Sequence, residues 1–322
     1  MSGETILWIV FGVLIPVMLA LDLGVFHRKD HVIKVKEALF WSAIWISLAF
    51  SFALGVYLLV GSEKALNFVT AYLVEESLSV DNLFVFLLIF SYFCVPAAYQ
   101  HRVLFWGIMG AIVMRAIFIV TGLTLLENLH WIIYVFGAFL VYTAARLAFK
   151  KEEEIKPEKN PILRLFRRFV PMTKRYHGNH FLIKGRGRRL ATPLLLTLVV
   201  IETTDIIFAV DSVPAVLSIT QDPFIVYTSN IFAVMGLRSL YFALSGVIQQ
   251  FYYLSYGLAA ILAFLGLKMI VPDIINAINP ALNFEVPVEV SLGVVVGILV
   301  ISALFSLFRR KTISETWEKR QE

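Results

Sequence analysis

Two short acidic segments interrupt an otherwise apolar chain. Residues 75–82 read EESLSVDN, and residues 205–212 read DIIFAVDS. In each segment, the residue six positions after the first acid is an aspartate that follows a valine and precedes a polar residue. Carboxylate, amide and hydroxyl oxygens are the ligands that Mg²⁺, Ca²⁺ and Mn²⁺ prefer. The two segments therefore predict a binding site for a hard divalent cation.

The predicted metal ligands all bear oxygen. They are Glu75, Asp81, Asn82, Glu202, Asp205, Asp211 and Ser212. Sulfur and imidazole ligands, which suit Zn²⁺ and copper, are poorly placed for a path through the membrane centre. Cys94 is the single cysteine, and the histidines fall in predicted loops or at span ends, at His27, His31, His101, His130, His177 and His180. No catalytic residue and no bound cofactor are predicted.

Two arginines are predicted to balance part of this acidic charge. Arg115 and Arg238 each lie in the span that follows an acidic segment. Against the four acids Glu75, Asp81, Asp205 and Asp211 they leave two negative charges, which one divalent cation would neutralise. The role of Asp22 is left open, because it belongs either to the ion path or to the headgroup region.

Membrane-spanning helices must position these acids. The chain of 322 residues is 59% hydrophobic and 16% charged, which is more apolar than a soluble domain. Apolar windows of about 20 residues predict nine transmembrane helices, and their continuous apolar character favours helices over strands. The predicted spans are 6–26, 38–60, 67–94, 103–126, 129–149, 191–217, 223–247, 253–272 and 287–308. The predicted fold class is an all-α polytopic membrane protein.

The basic residues predict the orientation. With the N-terminus outside and the C-terminus in the cytoplasm, about 23 of the 28 Lys and Arg residues lie in cytoplasmic segments, as the positive-inside rule requires. Lys64 is then the basic residue of the outer segments. The predicted location is the bacterial inner membrane.

The acidic segments indicate an internal repeat. In the predicted topology the third span runs inward and the sixth runs outward, so the repeat is inverted. Transporters built this way hold their substrate near the middle of the membrane, between the repeats. Chance similarity of two apolar segments is the alternative.

Helix geometry limits how the acids can share a site. Residues six apart on an ideal helix differ by about 120° in direction, so Glu75 and Asp81 cannot share a face. One predicted face carries Glu75, Ser79 and Asn82, and the other carries Glu202, Asp205, Ala209 and Ser212. The acids form two successive stations, or the helices break. Pro214 is the candidate helix break, because it cannot donate to the carbonyl of Val210.

Three regions follow from this pattern. Residues 1–149 hold spans one to five, residues 150–190 form a basic cytoplasmic loop, and residues 191–322 hold spans six to nine and a short tail. The loop is predicted to be a solvated linker that fixes topology, with a short surface helix over 162–170 as the alternative.

These motifs resemble the TerC family of integral membrane proteins, and within it the Alx-type branch. The resemblance covers nearly the whole chain, including the Glu-x5-Asp-Asn segment and the Glu-x2-Asp-x5-Asp-Ser segment that begins at Glu202. It implies export of Mn²⁺ from the cytoplasm. It also implies that Glu75, Asp81, Asp205 and Asp211 form the ion path.

The sequence leaves two other functions open. A Ca²⁺/cation exchanger also uses acidic inverted repeats, and a non-transporting membrane scaffold would act through the basic loop. The predicted partners are the divalent ion and the lipid bilayer, with no nucleic acid, and the oligomeric state is left open. No ATP-binding motif of the Gly-x4-Gly-Lys-Ser/Thr type occurs, so the predicted mechanism is alternating access, with protons competing for the carboxylates.

Overall fold

A computed structural model of the protein describes residues 2–21, 35–129, 131–149, 171–173, 175–184, 189–244, 254–279, 282 and 284–318. The side chain of Asp81 lies outside the description, although its place in a helix is inside it. Asp22, His27, His31, His130 and the surface helix predicted over 162–170 also lie outside the described residues.

Nine helices account for most of the described residues. They are α1 (Gly3–Leu21), α2 (Val35–Leu59), α3 (Ser62–Tyr92), α4 (Ala97–Asn128), α5 (Ile132–Phe149), α6 (Pro193–Leu217), α7 (Pro223–Leu244), α8 (Leu254–Ile278) and α9 (Val288–Glu318). Each contains most of one predicted span, and the all-α polytopic fold is confirmed.

Seven of these helices, within the described ranges, are long and apolar enough to cross a membrane. The other two are α3, which carries the acids at 75, 76 and 81, and α7, which carries several buried polar residues. Both pack against several other helices, so their polar side chains avoid lipid. The count of nine spans remains a prediction.

Four helices form the centre of the molecule. α3 packs against α7 and α4 packs against α6, while α3 also contacts α6 and α4 contacts α7. If α3 is exchanged with α6 and α4 with α7, the α3–α7 pair becomes the α6–α4 pair. This is the pattern expected of two related halves.

Contacts along these helices give their relative directions. Lys64, at the start of α3, contacts Asp222, which follows the end of α6, at 2.6 Å. Tyr176, in the segment that leads into α6, donates to the carbonyl of Phe93, which follows the end of α3. α3 and α6 therefore run in opposite directions, as the inverted repeat predicts.

The other two helices follow the same scheme. The rings of Phe68 and Phe232 lie 6.0 Å apart and those of Phe90 and Tyr241 lie 5.5 Å apart, so α3 and α7 run the same way. Gly107 faces Ile201 and Gly122 faces Leu217, so α4 and α6 also run the same way.

Two helices continue past an internal proline. α8 continues through Pro272 to Ile278, beyond the predicted end of the span. α6 continues through Pro214 to Leu217, so the helix break expected at this residue is absent from α6. Pro214 removes one backbone hydrogen bond near the helix end, where the turn that follows still forms with Ser218 donating to the Pro214 carbonyl.

The described end of the basic loop is folded, which differs from the predicted solvated linker. Strands β1 (Leu182–Lys184) and β2 (Arg189–Ala191) pair in antiparallel fashion, with Ile183 opposite Leu190. We call residues 171–192 the loop hairpin. The Ala191 amide donates to the Pro171 carbonyl at 2.9 Å, which ties the start of this segment to its end.

Candidate metal site

Arg115 of α4 lies at the centre of the buried polar residues. Its side chain is fully buried and forms a close ion pair with Glu75 of α3. Its Nε lies 3.7 Å from Asp205 Oδ2 of α6. Its Nη1 donates to Ser212 Oγ at 3.4 Å and to Asn230 Oδ1 of α7 at 3.3 Å. All four central helices therefore supply a polar group to one position.

The acids of this cluster keep unused bonding capacity. Glu75 Oε2, Asp205 Oδ1 and Ser79 Oγ are buried and have no hydrogen-bond partner among the described residues. Buried oxygens are normally hydrogen-bonded. Their chemistry fits a hard cation, which binds oxygen atoms from several elements at once.

Burial agrees with most of the two predicted faces. Glu75, Ser79 and Asn82 are buried on α3, and Asp205, Ala209 and Ser212 are buried on α6, whereas Glu202 is only half-buried. Glu75 and Asp205, from the two acidic segments, meet at Arg115. The structure thus brings together the first acid of each segment.

The second acid of α6 lies elsewhere. Asp211 is partly exposed and accepts a hydrogen bond from Thr143 Oγ1 of α5 at 3.4 Å. It therefore faces α5 rather than the Arg115 cluster. This arrangement agrees with the prediction that residues six apart on a helix cannot share a face, and it favours two stations over one.

Glu202 lies one turn before Asp205 on α6 and packs against α4. Its carboxylate sits directly on Gly110, where any Cβ would overlap both carboxylate oxygens. A side chain at this position would require the carboxylate to turn aside. The structure places Glu202 at the α4–α6 interface.

Arg238 of α7 and Asp205 line the same small cavity. They are its charged members, and the remaining lining is apolar and comes from α3, α4, α6 and α7. Its volume of about 10 Å³ leaves room for about one water molecule. Both predicted charge-balancing arginines thus lie beside Asp205.

Two polar residues of the centre were not predicted. Asn230 is fully buried and accepts from Arg115. Glu76 is partly buried, and its carboxylate lies against Gly236 of α7. The available signals were an amide within an apolar span and a second acid next to Glu75.

No group of three or more His, Cys, Asp and Glu side chains suited to a metal is present in the part of the chain that the structure describes. The side chain of Asp81 is outside that part. Among the described acids, the candidate site is the pair Glu75 and Asp205, supplemented by Ser212 and Asn230.

Polar contacts join the helices at both ends of the bundle. At one end, Lys64 of α3 contacts Glu4 of α1 at 3.0 Å and Asp222, which precedes α7, at 2.6 Å. The hydrogen bond to Asp222 is the main reason that the pKa of Lys64 is raised. The Asp222 side chain also accepts from the Phe224 amide at 2.9 Å, which caps the start of α7.

The loop hairpin covers the opposite end. Tyr176 donates to the carbonyl of Phe93 at the end of α3, at 2.7 Å. The guanidinium of Arg102 in α4 lies over the ring of Phe181, 5.5 Å from its centroid. Burial raises the pKa of Tyr176, as expected for a phenol packed into an interface.

Comparisons with known proteins give consistent results. Residues 60–314 match the model of the family described as "Integral membrane protein TerC family". A relative from Myxococcus xanthus, named "Uncharacterized membrane protein STKORF319", is 50% identical over 309 residues, which cover 96% of this chain and 94% of the relative.

Other relatives carry a functional name. "Putative membrane-bound redox modulator Alx" of Escherichia coli (strain K12) is 45% identical over 313 residues, which cover 94% of this chain and 95% of that protein. An "Uncharacterized membrane protein" of Rickettsia felis is 36% identical over 306 residues, or 95% and 99% of the two chains. No solved structure matches.

Proposed function

Because the chain belongs to the TerC family of integral membrane proteins, we propose that it is a transporter that exports a hard divalent cation, Mn²⁺, from the cytoplasm. In this proposal the protein spans the inner membrane with its N-terminus outside and its C-terminus in the cytoplasm. The ion is the transported substrate, and the protein has no enzymatic role.

One observation supports this function above the others. Glu75 and Asp205 come from helices that run in opposite directions, and both reach the same buried position beside Arg115. An acid in a membrane span costs about 2.5–3.5 kcal/mol on insertion scales. Two acids brought to one point are explained by a cation that both bind.

The ligand types support a hard ion. The site offers carboxylates from Glu75 and Asp205, a hydroxyl from Ser212 and an amide oxygen from Asn230. Mn²⁺, Mg²⁺ and Ca²⁺ accept such oxygens, whereas Zn²⁺ and copper favour nitrogen and sulfur. The choice of Mn²⁺ within this group comes from the family resemblance.

The mechanism is alternating access with proton competition. The Lys64 tie and the loop hairpin close the two ends of the bundle around a buried site, which corresponds to an occluded state. Opening requires one of these ties to separate while the other holds. Since metal ligands must be deprotonated, protons compete with the ion for the carboxylates.

Isosteric neutralisation tests this function. In cells loaded with Mn²⁺, we expect Glu75→Gln and Asp205→Asn to abolish export, because each removes one of two charges that hold the ion. Cellular manganese is measured by mass spectrometry at matched membrane levels of each protein. Glu63→Gln, at an exposed position of the same helix, is the control and should export normally.

Full export by both Glu75→Gln and Asp205→Asn would refute the assignment of these two acids as ion ligands. The same assay with Asp81→Ala and Asp211→Ala shows whether the second acid of each segment also belongs to the path. Asp211, which lies toward α5, should then contribute as a separate station.

Two other functions remain distinguishable. Uptake of Mn²⁺, Ca²⁺, Mg²⁺ and Zn²⁺ into proteoliposomes separates a manganese exporter from a Ca²⁺ exchanger. A scaffold would lose function when the basic loop is shortened and keep it when the acids are neutralised. The redox role in the Alx name has little support here, because a single cysteine, Cys94, provides no internal dithiol pair.

A further inference from the structure

We infer that Arg115 makes this site selective for divalent over monovalent cations: its guanidinium occupies the Glu75–Asp205 pair when no metal is bound, and yields that pair to a doubly charged ion. This inference rests on the proposed function, because it takes Glu75 and Asp205 as ligands of the transported metal. It gives Arg115 a part in selection, beyond charge balance.

The guanidinium lies where the cation would bind. It forms the close ion pair with Glu75 and the longer contact with Asp205, and it uses the side-chain oxygens of Ser212 and Asn230. These are the oxygens that a hard cation would use. A metal ion and the guanidinium cannot both occupy this position, because their positive charges repel.

The hydrogen bonding of the Arg115 guanidinium is incomplete. Its Nη1 bonds to Ser212 and Asn230 measure 3.4 and 3.3 Å, longer than the usual 2.9–3.0 Å. Nε lies 3.7 Å from Asp205, and Nη2 has no hydrogen-bond partner among the described residues. Arginine binds best when its planar fork is fully used. The protein therefore holds Arg115 well enough to neutralise the acids and loosely enough to release it.

Charge then decides which ion displaces the arginine. A Na⁺ or K⁺ ion would replace one positive charge by another and would still have to lose its water. A divalent ion doubles the attraction to both carboxylates at the same distance. The resident guanidinium thus sets a threshold that monovalent ions do not reach.

Once released, the guanidinium needs another hydrogen-bond acceptor, and the Glu202 carboxylate lies where it can provide one. Side chains on a helix lean toward its N-terminus, so Arg115 is directed along α4 toward the turn that contains Gly110. The Glu202 carboxylate packs against Gly110. It lies one turn from Asp205 on the same helix, so a short movement transfers the guanidinium from one acid to the next.

Metal binding to purified protein tests the inference. The probe is Mn²⁺ alone, with the unbound ion measured by electron paramagnetic resonance in choline chloride and in NaCl. Wild-type protein should bind Mn²⁺ equally in the two salts. Arg115→Gln should bind Mn²⁺ at least about tenfold more tightly in choline chloride, equivalent to about 1.4 kcal/mol, and should lose several-fold in affinity when NaCl replaces choline chloride.

Two variants serve as controls. Arg115→Lys keeps the positive charge and should restore the insensitivity to Na⁺. Arg146→Gln makes the same change at an exposed position of α5 and should match wild type. Because a structural ion pair alone would not create Na⁺ sensitivity, the salt comparison separates selection from stability.

A second variant keeps the test valid if Arg115→Gln does not fold. Glu202→Gln removes the acceptor of the released guanidinium and should weaken Mn²⁺ binding several-fold; unchanged or tighter binding contradicts the inference. If wild type binds Mn²⁺ and Arg115→Gln binds it no more tightly and without Na⁺ sensitivity, the role of Arg115 is refuted and the proposed function stands. If wild type binds no Mn²⁺, both are refuted.

Discussion

At the scale of single residues, the direction in which each acid points determines its partner. Glu75 and Glu76 are adjacent on α3 and point in directions about 100° apart. Glu75 is fully buried, whereas Glu76 is only partly buried. Glu75 contacts Arg115 of α4, and the Glu76 carboxylate lies against Gly236 of α7.

Gly110 shows the same dependence on a neighbour. A Cβ at this position would overlap the Glu202 carboxylate. The overlapped atoms are the end of a flexible side chain that can turn aside, so we expect Gly110→Ala to cost at most about 1 kcal/mol, the low end of the cost of overpacking. The midpoint of thermal unfolding in detergent measures this effect.

A glycine with open surroundings provides the control for Gly110. Gly12 of α1 has no atom within 4 Å of an added Cβ, so Gly12→Ala should be neutral or stabilising, since alanine favours helix by about 1 kcal/mol. Adding Glu202→Ala to Gly110→Ala should recover stability. A midpoint for Gly110→Ala as high as that of Gly12→Ala would contradict the contact.

At the scale of elements, α3 and α7 differ from the other seven described helices because they are not apolar enough to count as candidate spans. Both carry polar or charged residues that would be costly against lipid, and both lie inside the bundle. Lipid-facing helices such as α1 expose apolar side chains, for example Ile9 and Val13. Two of the four helices that form the site are thus the ones too polar to meet lipid, while α4 and α6 supply Arg115 and Asp205 from apolar spans.

The loop hairpin is the second element whose role depends on contacts. We expect Tyr176→Phe to loosen it, because the lost hydrogen bond to the Phe93 carbonyl is worth about 0.5–1.5 kcal/mol. Hydrogen exchange followed by mass spectrometry should show faster exchange at the amides of Ala191 and Thr192. Tyr142→Phe, at an exposed position of α5, should leave that exchange unchanged; equal exchange in both variants would show that Tyr176 does not dock the hairpin.

At the scale of the whole molecule, polar contacts at both ends of the bundle join the helices that surround the central site. Lys64 joins α1, α3 and the start of α7 through two carboxylates. Its raised pKa means that the folded state binds the Lys64 proton more tightly than the unfolded chain. The resulting stabilisation is fully present below the unfolded pKa of about 10.4 and is lost as pH rises through the higher folded pKa.

This gives a prediction for alkaline pH. Below pH 10, Lys64→Met should unfold at a lower temperature than wild type, by an amount that corresponds to about 0.5–1 kcal/mol, since the lysine is partly exposed and solvent screens the pair. The difference should shrink as pH rises above about 10.4. Melting curves of both proteins from pH 8 to 12 measure it. A difference that stays constant across this range would show that the ion pairs do not stabilise the fold.

Much of the architecture could be predicted from the sequence because hydrophobicity and charge act locally. Continuous apolar runs indicated the helices, and the two acidic segments indicated an inverted relation with which the opposed directions of α3 and α6 agree. The 3.6-residue period identified the inward faces of α3 and α6, including Glu75 and Asp205. These features depend on neighbours along the chain, which the sequence contains.

Only the tertiary structure decided which distant groups meet. It brought Arg115 to Glu75 and Asp205, turned Asp211 toward Thr143, set Glu202 against Gly110, and folded the end of the basic loop over α3 and α4. Such contacts join residues far apart in the chain and depend on how helices rotate and approach one another. That geometry is fixed by packing of the whole bundle, because the periodicity of a single helix gives its faces but not its neighbours.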